Sequence, residues 1–348
     1  MVRARTPLRR HALGLTLICA ALGAATAAPS PPRTVEPAVP LAFMRGMVVS
    51  CPRAGQIWGT PAMADSLAEL ETLGVEWVAL HPYAWVRRTG EVRFRTVSES
   101  DYLPRAGEMI RAAGMRIFWK PHLGYWGNFE WRGAIEFGDE TAWNLFFSGY
   151  RGFILDQARF AERIGAEIFA LGVELELTTQ RPEWRELISE LRGVYSGQLT
   201  YAANWDRLDR VPFWNELDLI GVHAYFPLSG DREPRLDDLE RGWDRAFAEL
   251  AAVSARHGDK PVLFAEIGYN RALTAAAEPW RYEMEDSAPT RRLRSDLMRL
   301  AIRRIEREPL VRGMFWWKWI PGPNRHDRDF SMKDPEARQV LAELWGAT

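Results

Sequence analysis

The feature that most constrains this chain is a repeated alternation. From about Phe43 onward, short apolar stretches alternate with amphipathic helical segments eight times. The strand candidates are MRGMVVS (44–50), VEWVALHP (75–82), MRIFWKPH (115–122), IFALGVELE (168–176), QLTYAAN (198–204), LDLIGVHAY (217–225), PVLFAEIGY (261–269) and RGMFWWKW (312–319). Between them, Thr60-Pro61 reads as an N-cap followed by proline at the first helical position, and Gly74 as the stop of that helix. In the segment 141–164, Phe146, Tyr150, Ile154, Ala158 and Ala161 recur every three or four residues and define one buried face; 238–257 and 290–308 repeat the theme. Eight β–α alternations with no break for a second domain predict an α/β fold, a single (β/α)8 TIM barrel. The rival, an open doubly wound sheet, needs a glycine-rich phosphate loop after an early strand, and the sequence has none.

The first 28 residues stand apart. Arg3, Arg5, Arg9 and Arg10 precede the apolar run ALGLTLICAALGAATAA, which ends in small residues suited to signal peptidase. We read residues 1–28 as a signal peptide cleaved near Ala27 or Ala28, 29–42 as a Pro-rich linker, and 43–348 as the barrel domain. A membrane anchor fits less well, because the run is short and Ala-rich; Arg9-Arg10 loosely matches a twin-arginine signal. The expected location is therefore secreted or periplasmic. Only Cys51 survives such cleavage, which excludes an intramolecular disulfide and a cysteine-based metal site. With 45 basic against 46 acidic side chains, nothing favours nucleic acid or an anionic membrane as partner. The expectation is a monomer without cofactor or metal whose partner is a small or polymeric substrate.

Active sites of such barrels lie at the C-terminal ends of the strands. The residues placed there are His81 and Tyr83, Lys120 and His122, Glu174 and Glu176, Asn204, Trp205 and Asp206, His223 and Tyr225, Glu266 and Tyr269, and the tryptophans and lysine of 316–319. Carboxylates on strands four and seven, facing each other across a barrel, are what cleavage of a glycosidic bond requires. One gives a proton to the leaving oxygen while the other attacks or stabilises the anomeric carbon, and in a retaining enzyme they lie roughly 5–5.5 Å apart. That scheme demands a raised pKa for the acid and a low one for the nucleophile. Strand alternation sends Glu174 and Glu176 to the same face, so periodicity alone does not choose between them. A metal-dependent hydrolase would use His81, His122 and His223, but no H-x-H pair or H-E-x-x-H motif is present. A serine hydrolase lacks its G-x-S-x-G elbow. The 16 tryptophans, among them Trp85, Trp126, Trp131, Trp205 and Trp317 in loops or at strand ends, suit the C–H faces of sugars as well as a core.

These residues also carry a resemblance. The succession KPHLGYWGNFEWRG (120–133), GVEL (172–175), LTYAANWD (199–206), FWNELDLIGVHAYFPLS (213–229), KPVLFAEIGY (260–269) and FWWKW (315–319) resembles glycoside hydrolase family 113, from about Met44 to the C-terminus. The resemblance implies retaining, endo-acting hydrolysis of β-1,4-mannan or mannooligosaccharides through a covalent intermediate. It makes Glu174 the proton donor and Glu266 the nucleophile. It places Lys120, His122, Asn204, Trp205, Tyr225, Tyr269 and Trp317 as substrate-binding neighbours, with Tyr225 or Tyr269 aligning Glu266. Two departures stand out: Val173 occupies the position before the acid where the wider clan commonly has asparagine, and His223 stands where an acidic residue is expected. Asn204 is then the candidate for the sugar 2-hydroxyl. The alternatives are the same mechanism on another β-glycan, exo-acting β-mannosidase action, and a non-catalytic carbohydrate-binding barrel.

Overall fold

A computed structural model describes residues 42–51, 54–323 and 330–346; the signal segment and all but the last residue of the proline-rich linker lie outside the described residues. Eight parallel strands close into a barrel in chain order: Met44–Val49, Trp77–Leu80, Arg116–Trp119, Ile168–Val173, Gln198–Asn204, Leu219–His223, Val262–Ile267 and Val311–Trp319. Each coincides with an expected strand; the fifth matches in full, the eighth starts one residue earlier, and the others are trimmed at one or both ends.

Two shells of apolar side chains explain why these stretches hold so few polar residues. One shell fills the barrel, with Met44, Val48, Trp77, Phe118, Ile168, Ala170, Leu263 and Phe315 among its members. The alternate positions, such as Met47, Val49, Phe169, Leu171 and Phe264, face the helices. Strands buried on both faces must be apolar at nearly every position. Phe315 plugs the barrel against Phe118 and Trp77, with ring centroids 5.1 and 6.3 Å away. Gly46 opposite it is forced, because a Cβ there would lie 2.4 Å from the Phe315 ring.

The helices are Pro61–Thr72, Tyr102–Ala112, Glu140–Arg163, Glu183–Val194, Leu236–Arg256, Ala288–Ile305 and Pro335–Leu344. Pro61 is the first helical residue as expected, but the Thr60 hydroxyl donates to the Ile57 carbonyl at 2.7 Å instead of capping. Gly74 ends the turn with φ of 75°, where a Cβ would collide with the Trp345 carbonyl. In the long helix Glu140–Arg163, Asp139 accepts the Ala142 amide at 2.9 Å and the predicted apolar face is buried.

The regular alternation fails once. Between the fifth and sixth strands the chain makes two short 3-10 turns, Leu208–Arg210 and Trp214–Glu216, in place of a helix. Pro212 sits between them, lacks an amide donor and clashes with a preceding helical turn. One element was not expected: a three-stranded sheet in which Tyr83–Val86 pairs antiparallel with Val92–Arg93 and parallel with His122–Gly124. It stands on the loops that follow the second and third barrel strands, beside the mouth.

Candidate active site

The mouth of the barrel opens into a cavity of about 500 Å³. Glu174 and Glu266 both line it, and both are aimed by irregular backbone. In the fourth strand the register shifts between Ala170 and Val173, so that Val173 joins the interior shell. The strand then stops, and Glu174 adopts φ of 52°, a left-handed conformation that costs a non-glycine residue roughly 1–3 kcal/mol and tends to mark functional sites. The next amide, of Leu175, donates 2.7 Å to the buried Tyr201 hydroxyl and fixes the turn. In the seventh strand the register shifts between Phe264 and Glu266. Ala265 faces the interior, so unbroken alternation would send Glu266 outward; the shift turns it into the cavity.

Glu266 is buried and surrounded by donors. Lys120 Nζ, wholly buried, bonds Glu266 Oε1 and reaches the Ala265 carbonyl at 3.2 Å. The Tyr225 hydroxyl donates to Oε2 at 3.1 Å, and burial holds that phenol well above its ordinary pKa, so it remains a donor. His122 Nε2 lies 3.9 Å from Oε1. Arg132 donates to His122 Nδ1 at 3.1 Å, which makes Nδ1 the acceptor and leaves the proton on Nε2, facing Glu266. Burial, reinforced by the Arg132 charge, keeps His122 neutral by pushing its pKa well below the usual value.

His223 stands between the two carboxylates. Its Nδ1 is 2.7 Å from Glu174 Oε1 and its Nε2 is 3.3 Å from Glu266 Oε1. Burial of Glu174 acts to raise its pKa, but the neighbouring His223 and then Arg132, at 3.7 Å, outweigh it and hold the group at about 2. In the free site the Glu174 pKa is therefore lowered rather than raised.

The remaining expected residues separate by position. His122, Asn204, Trp205, Tyr225 and Trp317 line the cavity with the two glutamates. Lys120 is beneath its floor and touches Glu266 rather than open space. Tyr269 is elsewhere: its ring packs against Trp316 in the core, and Tyr225 makes the bond to Glu266. Glu176 does not share the face of Glu174, because the strand ends before either residue. It sits in the 3-10 turn Glu176–Thr178 and pairs with Arg207 at 2.7 Å and Arg210 at 3.4 Å. His81 is buried under the cavity, stacked on His122, and no group of three or more His, Cys, Asp or Glu side chains that could hold a metal occurs among the described residues.

Trp131, one of the loop tryptophans suited to sugar faces, lines the cavity, while sequence reasoning missed Arg132, Tyr125, Trp280 and Tyr282, which line it from loops and a short 3-10 turn. Trp205 stacks on Trp280 at 5.9 Å, giving one wall a double indole. The tryptophan content and the WRG of the quoted third-strand motif were the available signals; loops have no periodicity to turn them into positions.

Comparison with known proteins agrees with this geometry. The family model for Glycoside Hydrolase Family 113 matches residues 50–334. A GH113 β-mannanase, AaManA from Alicyclobacillus acidocaldarius, solved in complex with ManMIm, superposes with a TM-score of 0.74 at 26% identity, covering 88% of this chain and 97% of that one. A GH113 β-1,4-mannanase complex gives a TM-score of 0.75 at 23% identity, covering 88% of this chain and all of the other. A GH5_18 protein from Bifidobacterium longum gives 0.60 at 14% identity, covering 86% and 78%, a likeness of fold alone. No functionally curated protein matches the sequence. With the family model spanning most of the chain and a barrel mouth holding two opposed carboxylates, this protein belongs to glycoside hydrolase family 113.

Proposed function

We propose that the protein is a retaining, endo-acting β-mannanase that cleaves β-1,4-mannan or mannooligosaccharides by double displacement. The observation that carries this reading is the placement of Glu174 and Glu266 on opposite sides of one imidazole, in an aromatic-walled cavity fed by strands four and seven. Membership of family 113 and likeness to a β-mannanase at 26% identity support the substrate class.

Glu266 attacks the anomeric carbon. The Lys120 ammonium and the Tyr225 hydroxyl hold its charge and direct its free lone pair. The leaving oxygen takes a proton from Glu174, which His223 resupplies across their 2.7 Å hydrogen bond. Glu174 then takes a proton from water, which attacks the glycosyl–Glu266 ester and releases the sugar with its configuration retained. Val173 is turned into the apolar interior, so the 2-hydroxyl contact falls to Asn204, which lines the cavity. The test is hydrolysis of mannan followed by NMR. Early accumulation of the β-anomer together with internal cleavage supports the reading; α-anomer first, or no cleavage of any β-mannan, refutes it.

Residues 1–28 serve in this reading as an export signal, so that the enzyme meets its polymer in the periplasm or medium. No helix among the described residues is long and apolar enough to cross a membrane. N-terminal sequencing of exported protein checks it, with cleavage near Ala27 or Ala28 expected.

A further inference from the structure

The three-stranded sheet beside the mouth and the turn that follows its strand His122–Gly124 carry two exposed indoles: Trp85, 39% exposed, and Trp126, 55% exposed. They are not isolated. Tyr125, in the cavity wall, stacks on Trp126 with centroids 5.3 Å apart; Trp126 is 5.5 Å from Tyr83, and Tyr83 6.3 Å from Trp85. Tyr83 and Trp85 in turn wall a second cavity of about 360 Å³, whose lining includes Gln56, Arg95 and Gln157. The chain of rings thus leaves the catalytic cavity and ends at a pocket with hydrogen-bonding side chains.

We propose that Trp126 and Trp85 form a distal binding platform for a β-linked oligosaccharide that extends outward from the cleavage site. This rests on the proposed glycan hydrolysis and adds where a long chain runs. Flat indoles open to solvent suit the C–H faces of successive pyranose rings, and the amide and guanidinium groups beyond them suit hydroxyls. A contiguous exposed aromatic patch that continues a ligand cavity is the kind that binds. The sheet holds these rings in place. Tyr83 pairs with His122, a cavity residue, and Trp85 with Gly124. A Cβ on Gly124 would lie 2.8 Å from Trp126 and 2.9 Å from Trp85, so glycine is what lets both indoles close over the strand. Such a rigid platform binds with little ordering cost.

The experiment compares mannohexaose with mannotriose, by kcat/KM for the active enzyme and by Kd in a Glu266→Gln background. Trp126→Ala is expected to lower kcat/KM and raise Kd for the hexaose by about fivefold to tenfold, with Trp85→Ala acting in the same direction. The triose serves as the internal reference and shifts less than about twofold on the same scale. Trp126→Phe, which keeps a flat ring, restores most of the hexaose value. Equal losses on both lengths, no loss on either, or a change of oligomeric state in place of sugar affinity overturns the platform. If the wild-type protein cleaves no mannooligosaccharide, the proposed function fails, while the Kd comparison, repeated with cellohexaose, still decides whether the platform binds β-linked chains.

Discussion

The two carboxylates of the mouth live in unlike surroundings. Glu266 is buried, and each of its oxygens has its own donor, the Lys120 ammonium on one side and the Tyr225 hydroxyl on the other. Glu174 keeps a fifth of its side chain open, sits on left-handed backbone, and has one short hydrogen bond, to a ring that itself carries an exchangeable proton. A group that must attack needs a fixed position and a fixed charge. A group that must give up a proton and regain it needs access to water and a proton-bearing neighbour. The difference in surroundings thus supports a division of labour that two glutamates alone would leave undecided.

The sharpest way to break that division is to remove each carboxylate. Glu266→Ala is expected to lower mannan hydrolysis by at least about 10⁴-fold, since the covalent step disappears. Glu174→Ala loses about 10²- to 10⁴-fold on mannan, and most of that loss vanishes with an aryl mannoside whose leaving group needs no proton. Azide separates the two further. It intercepts the covalent intermediate of the Glu174 variant to give the β-azide, and it replaces the missing nucleophile of the Glu266 variant to give the α-azide. The reverse pattern of azides would exchange the two roles.

Next in size is the cation under Glu266. Lys120→Met strands a buried carboxylate, a loss of about 3–5 kcal/mol, and removes the cation that positions the nucleophile. The expected outcome is a drop in kcat of at least about a hundredfold with a lower melting temperature. Arg132→Met, which faces the Glu174 side from 3.7 Å, is expected to cost less. If Arg132→Met proved the more damaging for kcat, the contrast drawn between the two surroundings would be wrong.

His223 tests the comparison through pH. Glu174 is held at about 2, below its ordinary 4.5, chiefly by this imidazole against the opposing effect of burial. A depressed carboxyl pKa contributes stability that is fully present above about 4.5 and is lost as pH falls toward 2. His223→Gln removes the main lowering influence, so the folded pKa of Glu174 moves up toward its unfolded value and this contribution to stability shrinks. A loss of stability at neutral pH that narrows as pH falls toward 2 is expected, together with a higher Glu174 pKa by carboxyl NMR. An unmoved Glu174 resonance would sink the account.

How much of this could be read beforehand follows the periodicity of the backbone. All eight strands were legible because strands buried on both faces leave continuous apolar runs, and Gly74 and Pro61 marked helix ends by chemistry that is local. Local exceptions were not legible. Pro212 sits where a helix was expected, and two short 3-10 turns flank it instead. The facing of Glu266 depends on a register shift, and that of Glu174 on one left-handed residue; both are settled by packing against neighbouring strands. Tyr225 and Tyr269 looked equivalent as strand-end tyrosines, yet one bonds Glu266 and the other packs on Trp316. His223 drew notice only as a departure from an expected acid, and its place between the carboxylates became visible when strands four to seven were set side by side. Arg132 comes from a loop between strand three and its helix, where nothing repeats.

The smallest effect is expected at Glu176, which alternation could not tell from Glu174. Its partners Arg207 and Arg210 are 39% and 59% exposed, so water can take over their hydration when the carboxylate is neutralised. Glu176→Gln keeps the shape and removes only the charge. With the cations partly open to water and the carboxylate only 10% exposed, the pairs fall at the upper end of the surface range, about 1 kcal/mol, which for a domain of this size corresponds to a melting shift of at most about 2–4 °C. Because Glu176 does not line the catalytic cavity, kcat/KM on mannooligosaccharides should stay within about threefold of wild type, less than 1 kcal/mol. A loss comparable to that of Glu174→Ala would mean that the turn after strand four opens during catalysis and brings Glu176 to the sugar. The left-handed backbone at Glu174 would then be a hinge rather than a fixed aim.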